Sequence, residues 1–296
     1  MNASVIIPAQ DSEASQLAVT LQGVFAQRYD DGRIDVCVAQ YGGGNSLDIA
    51  SIAKGHDVRV VTVDSPSPYA ARNLAAKTSA GDVLLFTEPG CIPDHHWVSA
   101  HVDAVRKGAA ISVGHIAPIH ETWALNTFLS YETVRDSWVF STASWQHRFG
   151  RPKNMAVTRA RFISHGPFVE VMRGADSKLV QLIARDVSPR EVAHAPDAIV
   201  RQLSVHGLPS CLRDRFIHAR TLRIYRSAHA APIQLSNRIQ ILRRTMRERD
   251  YGLLRSAFLL GSLASGIMAF RLGGASARFS ANSAQSSTVS PKKSQA

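Results

Sequence analysis

A chain of 296 residues with 45% hydrophobic residues and 13 prolines has the composition of a folded protein, long enough for one large α/β domain plus an appendage, and this excludes a disordered polymer. The net charge of +11 is unevenly placed: residues 201–296 hold 16 Lys and Arg against Asp214, Glu248 and Asp250, while the first 200 residues hold 18 basic and 20 acidic residues. A basic last third points to an anionic surface as partner, and three scattered cysteines (Cys37, Cys91, Cys211) exclude a disulfide framework and fit reduced thiols in a cytosolic compartment.

The residues Met1 to Ser4 lead straight into Val5-Ile6-Ile7, without the charged region and long apolar core of a secretory signal, so none is expected. Val5–Pro8 predicts a first strand. Asp11, Ser12 and Glu13 then open a helix over Ala14 to Gln27 with a broad apolar set. Arg33–Ala39 predicts a second strand, followed by Gln40, Tyr41 and the run Gly42-Gly43-Gly44-Asn45-Ser46. That run reads as a flexible turn, or as backbone amides open to an anion, before a helix over 47–54. Val58–Val63 predicts a third strand. Ser65-Pro66-Ser67-Pro68 turns the chain into an alanine-rich helix, Tyr69 to Lys77, with Arg72 near its start. Val83-Leu84-Leu85-Phe86 is a continuous apolar run, as in a strand covered on both faces, and Thr87-Glu88-Pro89-Gly90 ends it. In open α/β sheets ligands bind beyond the carboxyl ends of the strands, which makes this loop the first place to look for a site.

Trp97 to Lys107 is amphipathic, and Ala109-Ile111-Val113 alternates as a strand. Residues 121–147 carry Trp123, Trp138 and Trp145, rings suited to core packing or to a binding wall. Arg173-Gly174-Ala175-Asp176-Ser177 opens a helix over 178–185, where Asp176 serves as an N-cap, a chemical group, or both. After Arg201 come two basic helices, 209–226 and 233–249, the second with Ile239, Leu242 and Met246 on one face. Ala257–Phe270 is an uncharged run of 14 residues, short of the roughly 18–20 of a spanning helix. Bracketed by Arg255 and Arg271, it favours a helix lying in a membrane interface, or a shallow re-entrant one, over a full span. From Gly273 onward the Ser/Ala/Lys-rich tail is expected to be disordered. The chain therefore divides into 1–201, 202–272 and 273–296.

The succession Ala71-Arg72-Asn73, Gly81-Asp82 before an apolar strand, an acidic loop, and Cys91-Ile92-Pro93-Asp94 with Trp97 resembles the family 2 glycosyltransferases of the GT-A fold. Asn154-Met155-Ala156 with Arg159, and Gly174-Ala175-Asp176, extend the resemblance to about Arg201. It implies an α/β fold with a Rossmann-like, mostly parallel sheet flanked by helices, here followed by a basic helical extension. It implies a nucleotide-diphospho sugar as partner, with Asp11, Gln40, Arg72 and Glu88 on the donor side and Asn154 on the acceptor side. Asp176 takes the place of the acid that removes the acceptor's proton in inverting members. Glu88 stands where the family's Asp-x-Asp helps hold a divalent metal, so either Glu88 holds Mg²⁺ or Mn²⁺ as cofactor, or Arg72 or the basic C-terminal helices neutralise the leaving diphosphate without metal. The last acid of that motif is replaced by Gly90, the base-contacting aspartates by Gln40-Tyr41, and the first acid of the later pair by Ala175.

Two readings follow. One is a glycosyltransferase acting with inversion at the cytoplasmic face of a membrane, peripheral or shallowly inserted there through its basic C-terminal region. The alternative is a catalytically impaired relative that binds a nucleotide sugar or a partner enzyme at the membrane. Nucleic acid is not an expected partner, because the basic third lacks interleaved aromatics.

Overall fold

The computed structural model of the chain describes residues 1–43, 47–142, 144–171, 173–224 and 231–286. Gly44, Asn45 and Ser46 of the glycine run lie outside the described residues.

Alternation of apolar side chains decides which helices cover which face of the sheet. β1 (Ala3–Ala9), β2 (Ile34–Tyr41), β3 (Arg59–Val63) and β4 (Val83–Phe86) lie parallel in the spatial order β3-β2-β1-β4. Val5, Ile7, Val38, Val83 and Leu85 point to one face, where they meet Leu17, Leu21 and Val24 of α1 (Ala14–Phe25). The short α2 (Ile49–Ala53) joins the same side through Ile49. Ile6, Cys37, Ala39, Leu84 and Phe86 point to the other face, against Ala71 and Ala75 of α3 (Pro68–Thr78). A strand buried on both faces needs no polar alternation, which is why β4 is a run of four apolar residues, all buried. Losing one of them, Leu85→Ala for instance, would cost about 2–5 kcal/mol.

Beyond β4 the sheet changes direction. Cys91–Pro93 forms the short β5, α4 (Trp97–Arg106) packs on the α1 face, and β6 (Ile111–Pro118) leads into α5 (Trp123–Ser141). β7 (Met155–Thr158) inserts antiparallel between β4 and β6. α6 (Arg159–His165) and α7 (Ala175–Asp186) then precede β8 (Val192–Gln202), which runs parallel to β6 and antiparallel to β5. The complete order is β3-β2-β1-β4-β7-β6-β8-β5. β8 has no clean period because its pairing with β6 slips at Gly114/His115, from Gly114 opposite Ala195 to His115 opposite Ile199.

The antiparallel half is pinned by one side chain. Asn154 is fully buried; its Nδ2 donates to the carbonyls of His115 and Ala198, and its Oδ1 accepts from the Trp97 indole at 2.8 Å and lies 2.8 Å from His101 Nε2. The motif tryptophan and the motif asparagine are thus partners in one network.

Three helices complete the described chain: α8 (Leu208–Ile224), α9 (Leu235–Glu248) and α10 (Leu253–Ser286). α9 packs on α5 with Ile241 and Thr245 fully buried, whereas Ile239 stays 42% exposed. α10 packs along α8, and the helix continues past Gly273 to Ser286. Gly273 is what lets it continue past α8, for a Cβ there would stand 2.1 Å from the Phe216 carbonyl oxygen. The missing side chain serves helix crossing and not helix ending. Residues 287–296 lie outside the described residues.

Candidate functional site

The carboxyl ends of β1, β2 and β4 open onto a cleft of about 940 Å³. Gln10 and Glu13 line it after β1, Tyr41 after β2, and Glu88 and Pro89 after β4. α3 supplies Tyr69 and Arg72, the approach to β7 supplies Arg151 and Lys153, and Arg173, Asp176 and Ser177 come from the start of α7. His218 and Leu222 of α8 and Phe270 of α10 form part of its wall, so the basic C-terminal helices belong to the site. A second cavity of about 470 Å³ adjoins it, sharing Arg151, Lys153, Arg173 and His218.

The motif residues of α3 each reach a different partner. Ser67 caps the helix by accepting from the Tyr69 amide, and its hydroxyl donates to the Val171 carbonyl. Tyr69 donates its phenolic proton to Asp176 Oδ1. Arg72 is 1% exposed and donates to Glu88, with its guanidinium 5.1 Å from the Tyr69 ring. Asn73 holds the incoming loop through paired bonds with the Phe168 backbone, 2.8 Å to its carbonyl and 2.9 Å from its amide. One short helix therefore ties together the β4 loop and the entry to α7.

Glu88 is the anion of a cationic corner. Burial works to raise its pKa, but Arg72, then Lys153, and more weakly Arg173, outweigh burial and hold the carboxyl below the usual range. Lys153 Nζ lies 4.0 Å from its second oxygen. The lysine's backbone is fixed from below, since Thr87 Oγ1 donates to the Lys153 carbonyl at 3.1 Å. Gly90 adopts φ +79, and a Cβ there would point toward Gln16 of α1, with its nearest atom at 3.8 Å. The position that carries the last acid of Asp-x-Asp is here a backbone turn directed away from the cleft.

Asp176 has the opposite environment. It lies in the first turn of α7, after Gly174 at the N-cap, and is 6% exposed. Burial raises its pKa, and the Tyr69 hydroxyl lowers it only in part. A carboxylate of raised basicity, oriented by a phenol at the floor of a cleft, is suited to accept a proton from a bound hydroxyl. Glu13 is likewise raised by burial, against the Gln10 amide that donates to it at 2.9 Å.

Of the residues expected from the sequence, Arg72, Glu88 and Asp176 come together in the cleft. Asp11 sits in the 3₁₀ turn Asp11–Glu13, while its neighbours Gln10 and Glu13 are the ones along the cleft. Gln40 is buried, its amide 3.4 Å from the Leu47 carbonyl and its oxygen accepting from Thr62 at 3.3 Å; Tyr41 beside it lines the cleft. Asn154 is enclosed by the network described above and does not line the cleft. Tyr69 and Lys153 are additions. Both carried a signal: Tyr69 stands one helical turn before Arg72, and Lys153 directly precedes the motif residues Asn154-Met155.

The donor set around Glu88 does not fit a resident divalent cation. Among the described residues no group of three or more His, Cys, Asp or Glu is placed to hold a metal ion. The one acid of the β4 loop already faces Arg72 and Lys153.

Residues 4–174 match the family model described as Glycosyl transferase family 2. No curated protein matches the chain. Among solved structures, S. aureus TarS 1-349 in complex with UDP-GlcNAc is similar with a TM-score of 0.52 at 14% identity, over 91% of this chain and 82% of that one. The mannosyltransferase PcManGT from Pyrobaculum calidifontis, solved with GDP-Man and Mn²⁺, gives 0.53 at 14% identity, over 92% and 83%. A mycobacterial protein gives 0.51 at 16% identity, over 77% and 76%. At such identities the structural likeness speaks for the fold.

Proposed function

The chain belongs to glycosyl transferase family 2, and from that premise we propose that it moves a sugar from a nucleotide-diphospho sugar to an acceptor hydroxyl with inversion. The observation that carries this reading is Asp176, a buried acid of raised pKa oriented by Tyr69 in the same cleft as the Arg72–Glu88 pair. The acceptor oxygen attacks the anomeric carbon from the side opposite the diphosphate. Its proton passes to Asp176, the bond from the anomeric carbon to the phosphate oxygen breaks, and the nucleoside diphosphate leaves with the bonding pair. One displacement inverts the centre. Tyr41 and Gln10 flank the place where a base would lie, at the ends of β2 and β1.

The attachment to a membrane belongs to the same proposal. Leu253–Ala277 of α10 is long and apolar enough to cross a bilayer, at roughly 37 Å for 25 residues. Its packing along α8, and the Arg255 bond to Thr127 of α5 at 2.9 Å, favour a helix lying along the surface against the domain. Leu260, Ile267, Met268 and Leu272 are each about half exposed or more, and Leu253 and Leu254 almost wholly so. An apolar helix face beside Arg-rich α8 and α9 suits an anionic leaflet.

The test is release of nucleoside diphosphate from UDP- and GDP-sugars by the full chain, with Asp176→Asn as control. Sugar-dependent release that the variant lacks supports the reading. Nucleotide binding without release from any sugar would favour the impaired relative, and full activity of Asp176→Asn would remove Asp176 from the mechanism.

A further inference from the structure

We propose that Lys153 and Arg173 neutralise the donor's diphosphate in place of a divalent cation, and that Glu88 serves to hold Arg72. This rests on the nucleotide-sugar reading above and concerns the same cleft. Around Glu88 stand three cations, Arg72, Lys153 and Arg173, and the other acids of the cleft, Glu13 and Asp176, also feel Glu88 and Arg72. The buried Arg72 is the nearest partner of Glu88, while Lys153 and Arg173 are the two cations of this group that reach the open cleft.

The geometry divides the labour. Arg72, at 1% exposure, lies in the floor of the cleft between Tyr69 and Glu88, and its Nε has no hydrogen-bond partner among the described residues. It is a positioning residue, held by Glu88 and by the Pro68 carbonyl at 3.4 Å. Lys153 is 38% exposed and Arg173 is exposed, and both line the cleft and the adjoining cavity. Arg151 is not available in the same way, because it is paired with the buried Asp136. Nor can the β4 loop easily regain a second ligand, since residue 90 faces Gln16 of α1. A diphosphate between Lys153 and Arg173 meets donors that are charged before it arrives, the arrangement that stabilises a leaving anion without reorganisation. In the transfer the diphosphate departs with the electron pair of the broken anomeric bond, and its new negative charge falls between these two side chains.

Calorimetric titration of the full chain with UDP and with GDP tests this, in excess EDTA and again with Mn²⁺. The expected result is binding in EDTA, changed by less than about twofold by the metal. Lys153→Met and Arg173→Met should each weaken it by about tenfold or more, the usual loss for a hydrogen bond to a charged group. Glu88→Gln discriminates further: a metal ligand would lose binding, whereas a tether of Arg72 would leave it intact or tighter in EDTA. Binding seen only with Mn²⁺, or lost in Glu88→Gln that is folded by circular dichroism, overturns this inference and leaves the transferase reading standing. Absence of binding under both conditions overturns both.

Discussion

Tyr69 and Asp176, 107 residues apart, meet in a buried hydrogen bond that joins the helix after β3 to the first turn of α7. The bond gives the acid a direction and moderates its basicity, for the phenol lowers a pKa that burial has raised. Tyr69 itself is pushed up by burial and by the neighbouring Asp176, so it remains the donor.

Replacing the phenol should therefore move a pH profile. In Tyr69→Phe the moderating bond is gone and the Asp176 pKa rises further. A base works only when deprotonated, so the acid limb of kcat/KM should shift to higher pH, with UDP or GDP affinity little changed. A uniform loss of activity at all pH values would indicate a packing role alone.

Asp176→Asn should lower kcat by about 10²–10⁴-fold, the usual worth of a general base. It should also raise Tm at neutral pH. An acid whose folded pKa lies above its unfolded value favours folding fully only below the unfolded pKa, and that contribution is lost as pH rises through the folded value. The neutral amide avoids that loss. An unchanged or lower Tm would mean that the buried carboxylate is better solvated than its 6% exposure suggests.

Asp136 makes the reverse case. It is 2% exposed, pairs with Arg135 and Arg151, and these cations overcome burial to depress its pKa. Asp136→Ala leaves Arg151 without its anion and Arg135 with Glu132 alone, and should cost about 3–5 kcal/mol in urea unfolding. Its contribution is present above the unfolded carboxyl pKa and is lost as pH falls through the folded one.

His101 supplies an acid limit at milder pH. Fully buried between Ser112 and Asn154, it is pushed down by burial from 6.5 to about 4. Its contribution to stability is whole above pH 6.5 and should fade by about 3 kcal/mol as pH drops toward 4. Unfolding at several pH values should show a flatter curve for His101→Gln than for the unaltered chain, even though the variant starts lower. Parallel curves would exclude the histidine as the source.

Membrane attachment is expected to reside on the outer face of α10. Leu260→Ser, Ile267→Ser and Met268→Ser together remove three half-exposed apolar side chains; at about 1.5 kcal/mol each, partition onto anionic vesicles should fall on the order of 10³-fold. High salt should release the unaltered chain in part, whereas a spanning helix would stay. Flotation that survives the triple substitution would place the contact elsewhere.

The parallel half of the fold was legible because its strands are short apolar runs between helices of clear period, as at Val83–Phe86 and Tyr69–Lys77. β8 was not, because Pro196 and Asp197 interrupt the pattern where its pairing with β6 slips. In the cleft, Arg72, Glu88 and Asp176 could be placed from motif order alone. The enclosure of Gln40 and Asn154 could not, since a motif position does not say whether an amide faces a ligand or its own backbone. Asn154 completes four contacts inside the sheet, and an amide so occupied is needed for architecture. The wall made by α8 and α10 was hidden for another reason: its residues are distant in sequence from every motif.

That wall has a mechanical consequence. Phe270 faces the cleft from the same helix whose other side chains, Ile267 and Met268 among them, stand exposed. The seat of α10 and the shape of the cleft are therefore one variable. A force or surface that shifts the helix reshapes the cleft, and a molecule filling the cleft steadies the helix; such linkage is reciprocal in free energy. On the proposed membrane seat, contact of the leaflet with α10 would reach the cleft through Phe270.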